Sequence, residues 1–274
     1  LYEQLRTALS EARVDGDAAD IRAILANMDR LRPLPRLAGR RHVLVDAASG
    51  RLWMYEDGRS RGAMKVVVGS PEHPTPLMAD VLTHSVLRPY WNIPEDLVRD
   101  RFAPRVLKDG VGVLRAENME VLADWSETPA RLDPAKVDWR SAAAGRIGLR
   151  VRQKPGPENM MGAIKFMLPN ELGIYLHDTP NRALFAEPVR AFSAGCVRVE
   201  DARRLARWLH GRDVLRTGAR TPEQRVDLSE PVPVHIVYLT VRPGAKGGLE
   251  RSPDVYGRDG PRLQVAAGPA RSAR

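Results

Sequence analysis

The residues with the greatest chemical potential in this chain lie in two short runs. One is Tyr175-Leu176-His177-Asp178-Thr179-Pro180; the other is Phe192-Ser193-Ala194-Gly195-Cys196-Val197-Arg198-Val199. Cys196 is the single cysteine of 274 residues. An ordinary thiol titrates near ~8.5, so only a few per cent is thiolate at neutral pH, and a nearby imidazole that takes the proton turns the sulfur into a nucleophile. His177 ends an apolar strand, and the nineteen positions from there to Cys196 are enough for a loop to bring the chain back so that the two side chains meet. Gly195, lacking a Cβ, permits unusual backbone angles and close approach of a substrate carbonyl. The amides of Gly195 and Cys196, with that of Ala194 beside them, are then placed to donate to the oxyanion formed when sulfur attacks. The chemistry these residues suit is acyl transfer or hydrolysis through a thioester.

Other chemistries find little support. One cysteine excludes an internal disulfide and any zinc site built on paired cysteines. His42, His73, His84, His210 and His235 have no partner at a metal-ligand spacing, so no metal and no cofactor is expected. His-Glu-x-x-His and the phosphate-binding Gly-x-x-x-x-Gly-Lys loop are absent, as are Gly-x-Ser-x-Gly and Ser-x-x-Lys of serine enzymes. The net charge is +9 and the pI about 10.1. Arginine supplies 37 of the 43 basic residues, scattered from end to end rather than gathered in a stripe. No zinc-finger spacing or aromatic RNA-binding signature accompanies them, so a nucleic-acid partner is not expected.

The elements that must position this chemistry are legible in outline. Leu1, Leu5, Ala8, Leu9 and Ala12 share one helical face, Asp15-Gly16-Asp17 breaks and caps, and Ile21, Ile24, Leu25, Met28 and Leu31 form a second stripe ending at Pro33 and Pro35. From Arg41 the period becomes strand-like. His42–Val45, Leu52–Tyr55 and Met64–Val68 are separated by Ala48-Ser49-Gly50 and Glu56-Asp57-Gly58, both hairpin signals. Val81–Leu87 continues this meander and Pro89 closes it. Residues 92–160, rich in proline and short helical stretches, read as an insertion covering an active site. β-structure resumes at Gly162–Met167 and Gly173–His177. A helix is predicted over Asp201–His210 with Gly211 as its stop, and a late strand over Pro233–Val241. The tail after Arg242 is rich in Gly, Pro and Arg, and mobility is expected from about Gly268. No run approaches the ~18–20 apolar residues of a membrane-spanning helix, which predicts a soluble chain without a span. Leu1 is not preceded by a charged-then-apolar leader, so any signal peptide is expected to have been removed or left out.

The two chemistry-bearing runs resemble the active site of L,D-transpeptidases of the YkuD-domain type, closest to the large Gram-negative subgroup typified by YcbB. Val67-Val68-Gly69 with Thr75-Pro76 is similar to the family's glycine and Thr-Pro signature. Pro89-Tyr90-Trp91-Asn92-Ile93-Pro94, Gly162–Pro169 and Asp254-Val255-Tyr256-Gly257-Arg258-Asp259 resemble further segments of the subgroup, so the likeness runs over roughly residues 38–260. The resemblance implies a mainly β fold with helices: a YkuD-type β-sandwich over 38–242 containing a lid at 92–160, preceded by a helical segment at 1–37 and followed by a C-terminal extension at 243–274. It implies a periplasmic enzyme of cell-wall biogenesis and cell shape, of a kind that carbapenems target. Its donor and acceptor would be peptidoglycan stem peptides, its partners other cell-wall synthesis enzymes.

In that reading Cys196 attacks the amide of a donor stem before its terminal D-residue, and a neighbouring stem's amine receives the acyl group. His177 is base and then acid, its second ring nitrogen oriented by a backbone carbonyl. Asp178 is read as a residue that caps its own loop. Tyr175, Trp91 and Asn92 are candidate donor-site residues, together with Ser193. Arg198 either holds the cysteine loop or takes a substrate carboxylate. Ala194 stands where many relatives carry a second histidine, which removes any mechanism using two imidazoles. The same site run with water would be an L,D-carboxypeptidase or endopeptidase, and a cell-wall binding module with a relic site is a third reading.

Overall fold

Capping residues set the boundaries of the first two helices in the computed structural model, which describes residues 1–33, 41–216, 219, 221–244 and 248–259. Helix α1 (Tyr2–Asp15) stops at Gly16, and α2 (Ala18–Leu31) starts where the Asp17 carboxylate accepts from the amides of Ala19 and Asp20. Leu5, Leu9, Ala12, Ile24 and Met28 face one another between them and pack on Val241 and Leu249. Pro35 and the tail beyond Asp259 lie outside the described residues.

Most strands join one nine-stranded sheet. β1 (Arg41–Asp46), β2 (Arg51–Glu56) and β3 (Arg59–Gly69) form the expected antiparallel meander. The meander ends there. β4 (Met78–Leu87) pairs not with β3 but with two strands from the far half of the chain, β9 (Ile164–Met167) and β13 (Gln224–Val237). β10 (Leu176–His177), β11 (Ala191–Ser193) and β12 (Val197–Val199) complete the order β11-β3-β12-β10-β9-β4-β13-β1-β2. β3 also pairs with β2, so the sheet curls round and closes on itself, with β11 lying outside the closure beside β3. This long strand is shared: its first half lies along β2 and its last residues along β12 and β11. The interior holds Val43, Leu52, Val66, Leu82, Phe166 and Ile236, all buried. Helix α7 (Ala202–His210), begun by the Asp201 carboxylate on the Arg204 amide, adds Leu205, Ala206 and Leu209 to that interior.

The segment between β4 and β9 builds a core of its own. β5 (Trp91–Ile93), β6 (Met119–Leu122), β7 (Arg131–Leu132) and β8 (Arg150–Gln153) form a four-stranded sheet in the order β5-β8-β6-β7. Against it pack α3 (Glu95–Leu97), a π-helical turn over Val98–Phe102, α4 (Ala103–Asp109), α5 (Gly112–Ala116) and α6 (Trp139–Ala143). Trp91, Phe102, Val106, Leu114, Trp139 and Val151 are buried between them. At the C-terminal end β14 (Val241–Pro243) pairs with β15 (Leu249–Arg251), and the chain then returns to place Val255 and Tyr256 on the main core. Among the described residues no helix is long and apolar enough to cross a membrane.

Candidate active site

Two short parallel strands carry the chemistry. In the β10–β12 register Leu176 lies opposite Val197 and His177 opposite Arg198. One step earlier Cys196 therefore lies beside Tyr175. Side chains alternate along a strand, so the fully buried Leu176 and Val197 point into the core while Tyr175, His177, Cys196 and Arg198 share the other face. The antiparallel partner β9 adds Lys165, opposite His177. The result is a row, Lys165–His177–Arg198, with the thiol and the phenol one step back. The Tyr175 ring stands edge-on to His177 at 5.7 Å between centroids and packs against the core of the insertion.

His177 is 1% exposed. Its Nδ1 lies 2.6 Å from the carbonyl oxygen of Asp178; a carbonyl only accepts, so Nδ1 carries the proton and Nε2 presents its lone pair. Burial, reinforced by the positive charges of Arg198 and Lys165, lowers its pKa to about 3. The imidazole is neutral at any ordinary pH, the form in which it could accept a proton.

The thiol is neutral too. Burial pushes the Cys196 pKa up, against hydrogen bonds from the Tyr175 main chain and phenol and the charge of Arg198. Its S–H donates to the carbonyl of Gly173, 3.5 Å away. No hydrogen bond joins Sγ to the His177 ring among the described residues, so the pair stands as thiol and imidazole rather than as an ion pair. Tyr175 keeps its phenol protonated, its pKa raised by burial and by the neighbouring sulfur, and remains a donor to that sulfur.

The cysteine loop is braced from inside and from behind. The buried Ser193 hydroxyl donates to the Cys196 carbonyl at 2.5 Å and accepts from the Gly195 amide at 3.2 Å. Gly195 has φ +110°, a conformation a side chain rarely adopts, and a Cβ there would meet Ile174 at 3.4 Å. Behind it the Thr75 hydroxyl donates to the Gly195 carbonyl at 2.7 Å and accepts from the Gly69 amide at 2.8 Å. Gly69 tolerates no substituent, since a Cβ would lie 2.0 Å from the His73 carbonyl. The amides of Ala194 and Cys196 make no hydrogen bond among the described residues. That leaves them available as donors, whereas the Gly195 amide is engaged by Ser193.

The remaining residues singled out from sequence fall elsewhere or act otherwise. Arg198 makes no guanidinium hydrogen bond among the described residues; its Nε is buried without a partner, and Arg101 of the insertion is near enough to depress its pKa further. Trp91 is buried in the insertion's core, edge-on to Phe102 at 6.1 Å, and Asn92 beside it is exposed. Asp178 does not cap its own loop: its carboxylate accepts from the Ala163 amide at 2.9 Å and faces Arg182 at 3.3 Å. In the sequence Thr75 and Tyr256 stand only as parts of recurring motifs, because Gly195 lies 120 positions from Thr75, and Thr75 and Gly69 lie 181 and 187 positions from Tyr256. No group of three or more His, Cys, Asp or Glu residues able to hold a metal occurs among the described residues.

The chain is 32% identical over 241 residues to a Haemophilus influenzae protein named "Putative L,D-transpeptidase"; the alignment takes in 85% of this chain and 47% of the relative, so the chain spans about half that protein's length. Solved structures similar to it include an L,D-transpeptidase from Mycobacterium smegmatis (11% identity, 72% of this chain and 58% of that one, TM-score 0.36). Another is L,D-transpeptidase 3 from Mycobacterium tuberculosis (13% identity, 72% and 60%, TM-score 0.36). The sequence model of the L,D-transpeptidase catalytic domain family, YkuD, matches residues 40–236. The chain belongs to the YkuD family of L,D-transpeptidase catalytic domains.

Proposed function

We propose that this chain is a YcbB-like peptidoglycan L,D-transpeptidase that joins stem peptides through a thioester on Cys196. The observation that carries the reading is the β10–β12 register. It sets the single thiol and one neutral imidazole on the same face of adjacent strands, with the Nδ1 proton held by Asp178 and Nε2 without a hydrogen bond among the described residues.

In the first half-reaction the Cys196 proton passes to His177 Nε2 as sulfur attacks the donor carbonyl. The oxyanion forms against the Cys196 and Ala194 amides, with Gly195 allowing the close approach. The carbon–nitrogen bond then breaks, the departing D-residue takes the proton back from His177, and the thioester remains. In the second half-reaction the acceptor amine attacks the thioester, His177 takes its proton, and sulfur leaves and is reprotonated. Tyr175 donates to the sulfur while it is charged. Arg198, half-buried beside both reacting groups with a buried Nε that has no partner among the described residues, takes a stem-peptide carboxylate in a bidentate grip. Ser193 serves by shaping the loop. Trp91 and Asn92 act through the insertion that carries them, which works as a lid excluding water so that an amine rather than water receives the acyl group. The family's substrate supports a cell-wall compartment, which in a Gram-negative cell would be the periplasm, with other enzymes of wall synthesis as partners. No nucleic acid takes part.

Incubation of the protein with purified disaccharide-tetrapeptide, followed by mass spectrometry, tests the proposal. The expected product is a cross-linked dimer that has lost one terminal D-residue. Trimmed monomer alone would identify a carboxypeptidase or endopeptidase. Unchanged substrate, with no adduct on Cys196 from a carbapenem, would leave a binding module.

A further inference from the structure

The hydrogen bond that holds the nucleophile's loop from behind does not end at Thr75. The Tyr256 phenol donates to the Gly69 carbonyl at 2.9 Å and accepts from the Thr75 amide at 3.3 Å, closing the turn that carries Thr75 from two sides. Tyr256 is itself fixed. Its amide donates to the Tyr238 hydroxyl at 3.0 Å, and its ring stacks on Tyr238 with centroids 4.9 Å apart. Tyr238 donates to Asp254 at 2.6 Å, and the same carboxylate accepts from the amides of Arg258 and Asp259. Arg30 of α2 then binds both Asp259, at 2.5 Å, and the Arg258 carbonyl, at 2.9 Å. A continuous set of hydrogen bonds thus runs from the helical pair, through the segment 254–259, to the residue preceding the nucleophile.

Its target matters more than its length. The Gly195 carbonyl and the Cys196 amide are the two poles of one peptide plane, and in a trans peptide they point in opposite directions. Holding the carbonyl on the Thr75 hydroxyl therefore aims the Cys196 N–H away from Thr75, and that N–H has no acceptor among the described residues. Ser193 occupies the neighbouring Gly195 amide and the Cys196 carbonyl, so among the described residues the plane has no other polar restraint on this axis.

We propose that Tyr256 is a positioning residue for acyl transfer, acting through Thr75 to fix the peptide plane whose N–H receives the oxyanion. The inference rests on the acyl-transfer reading of Cys196. Tyr256 touches neither substrate nor sulfur; what it controls is the direction of a donor whose value depends on geometry set in advance.

The experiment uses the chain as it stands, with imipenem as acylating probe and iodoacetamide as a probe that needs the thiolate but no oxyanion donor. Tyr256→Phe and Thr75→Val are expected to lower the limiting rate of imipenem acylation by about 10- to 100-fold, with the half-saturating concentration little changed. Thr75→Ser, which keeps the hydroxyl, is expected to restore most of that rate. Alkylation of Cys196 by iodoacetamide is expected to stay within about twofold of wild type in all three, because thiol acidity is set by Tyr175, Arg198 and burial.

Wild-type imipenem rates in Tyr256→Phe and Thr75→Val, with the parent chain acylating normally, would overturn the inference and leave the acyl-transfer reading intact. A parallel fall in alkylation would also overturn it, because the loop would then have lost its shape rather than one donor's aim. A parent chain that is alkylated but never acylated would sink the acyl-transfer reading and this inference with it.

Discussion

His177 and Arg198 are register partners on adjacent parallel strands, so a guanidinium lies alongside the imidazole on the face that carries the thiol. Placing an obligatory cation next to the base looks adverse only if the base must rest in its charged form. Here the arrangement keeps it neutral. With burial and Lys165 acting in the same sense, the imidazole pKa falls to about 3, and in the proposed mechanism a proton taken from sulfur is held only while the reaction needs it.

The same shift makes stability depend on pH. The unfolded chain binds a proton at His177 near pH ~6.5, the folded chain near 3. Between those values the unfolded state holds more protons, so the fold loses stability as pH falls from about 6.5 and the loss is complete near 3. Wild type is expected to lose a few kcal/mol more than His177→Asn over pH 6.5 to 4, read by urea denaturation at each pH. Parallel curves for the two proteins would contradict a buried neutral imidazole.

Cys196→Ala is expected to abolish cross-linking and carbapenem adduct formation while leaving the folded structure in place, checked by intact mass and circular dichroism. Cross-linking by a clean Cys196→Ala preparation would refute the mechanism outright.

His177→Ala is expected to slow acylation about 10²- to 10⁴-fold, the range a positioned general base supplies. Stopped-flow measurement of carbapenem acylation gives the number, and an unchanged rate would remove His177 from the chemistry.

Alkylation of Cys196 should report a thiol above the ordinary range of ~8.5, because burial raises it. The iodoacetamide rate is then expected to keep rising beyond pH 8.5, with no acid shoulder of the kind a preformed thiolate–imidazolium pair produces. A plateau near neutrality would show the ion pair instead.

Gly195→Ala forces a side chain into φ +110° and against Ile174. The backbone strain is expected to destabilise the protein by about 1–3 kcal/mol, or to be relieved by rotating the Cys196 peptide plane, with acylation lost in either case. Thermal denaturation and acylation rate read together distinguish the two; unchanged values in both would disprove the requirement.

Local signals were the legible part of this chain. Asp17 and Asp201 declared helix starts, Gly16 and Gly211 helix ends, and Ser193 to Arg198 declared a nucleophile loop, because each depends on contacts within a few residues. The sheet inside the insertion was not legible. Its strands are four residues or shorter, Met119–Leu122 is buried on both faces, and Arg152 is made tolerable there by Glu120, thirty-two positions earlier. The neighbours of Val81–Leu87 were hidden for the same reason, since β9 and β13 are contributed by the far half of the chain. Asp178 misled because the amide it serves, that of Ala163, lies fifteen residues back across a strand rather than in its own loop.

The position of β13 has a consequence for how the chain comes into being. This strand lies between β1 and β4, with Val43 beside Val234 and Ser85 beside Val226, so two strands made early must wait for one made late. A ribosome that has not yet released residue 224 holds a polypeptide whose barrel has a missing stave. Such a chain gains little from premature collapse and pays a large loop-closure entropy for every distant pairing. It stays open until residues 224–237 arrive, so the closing of the barrel waits on a single strand from the far half of the chain.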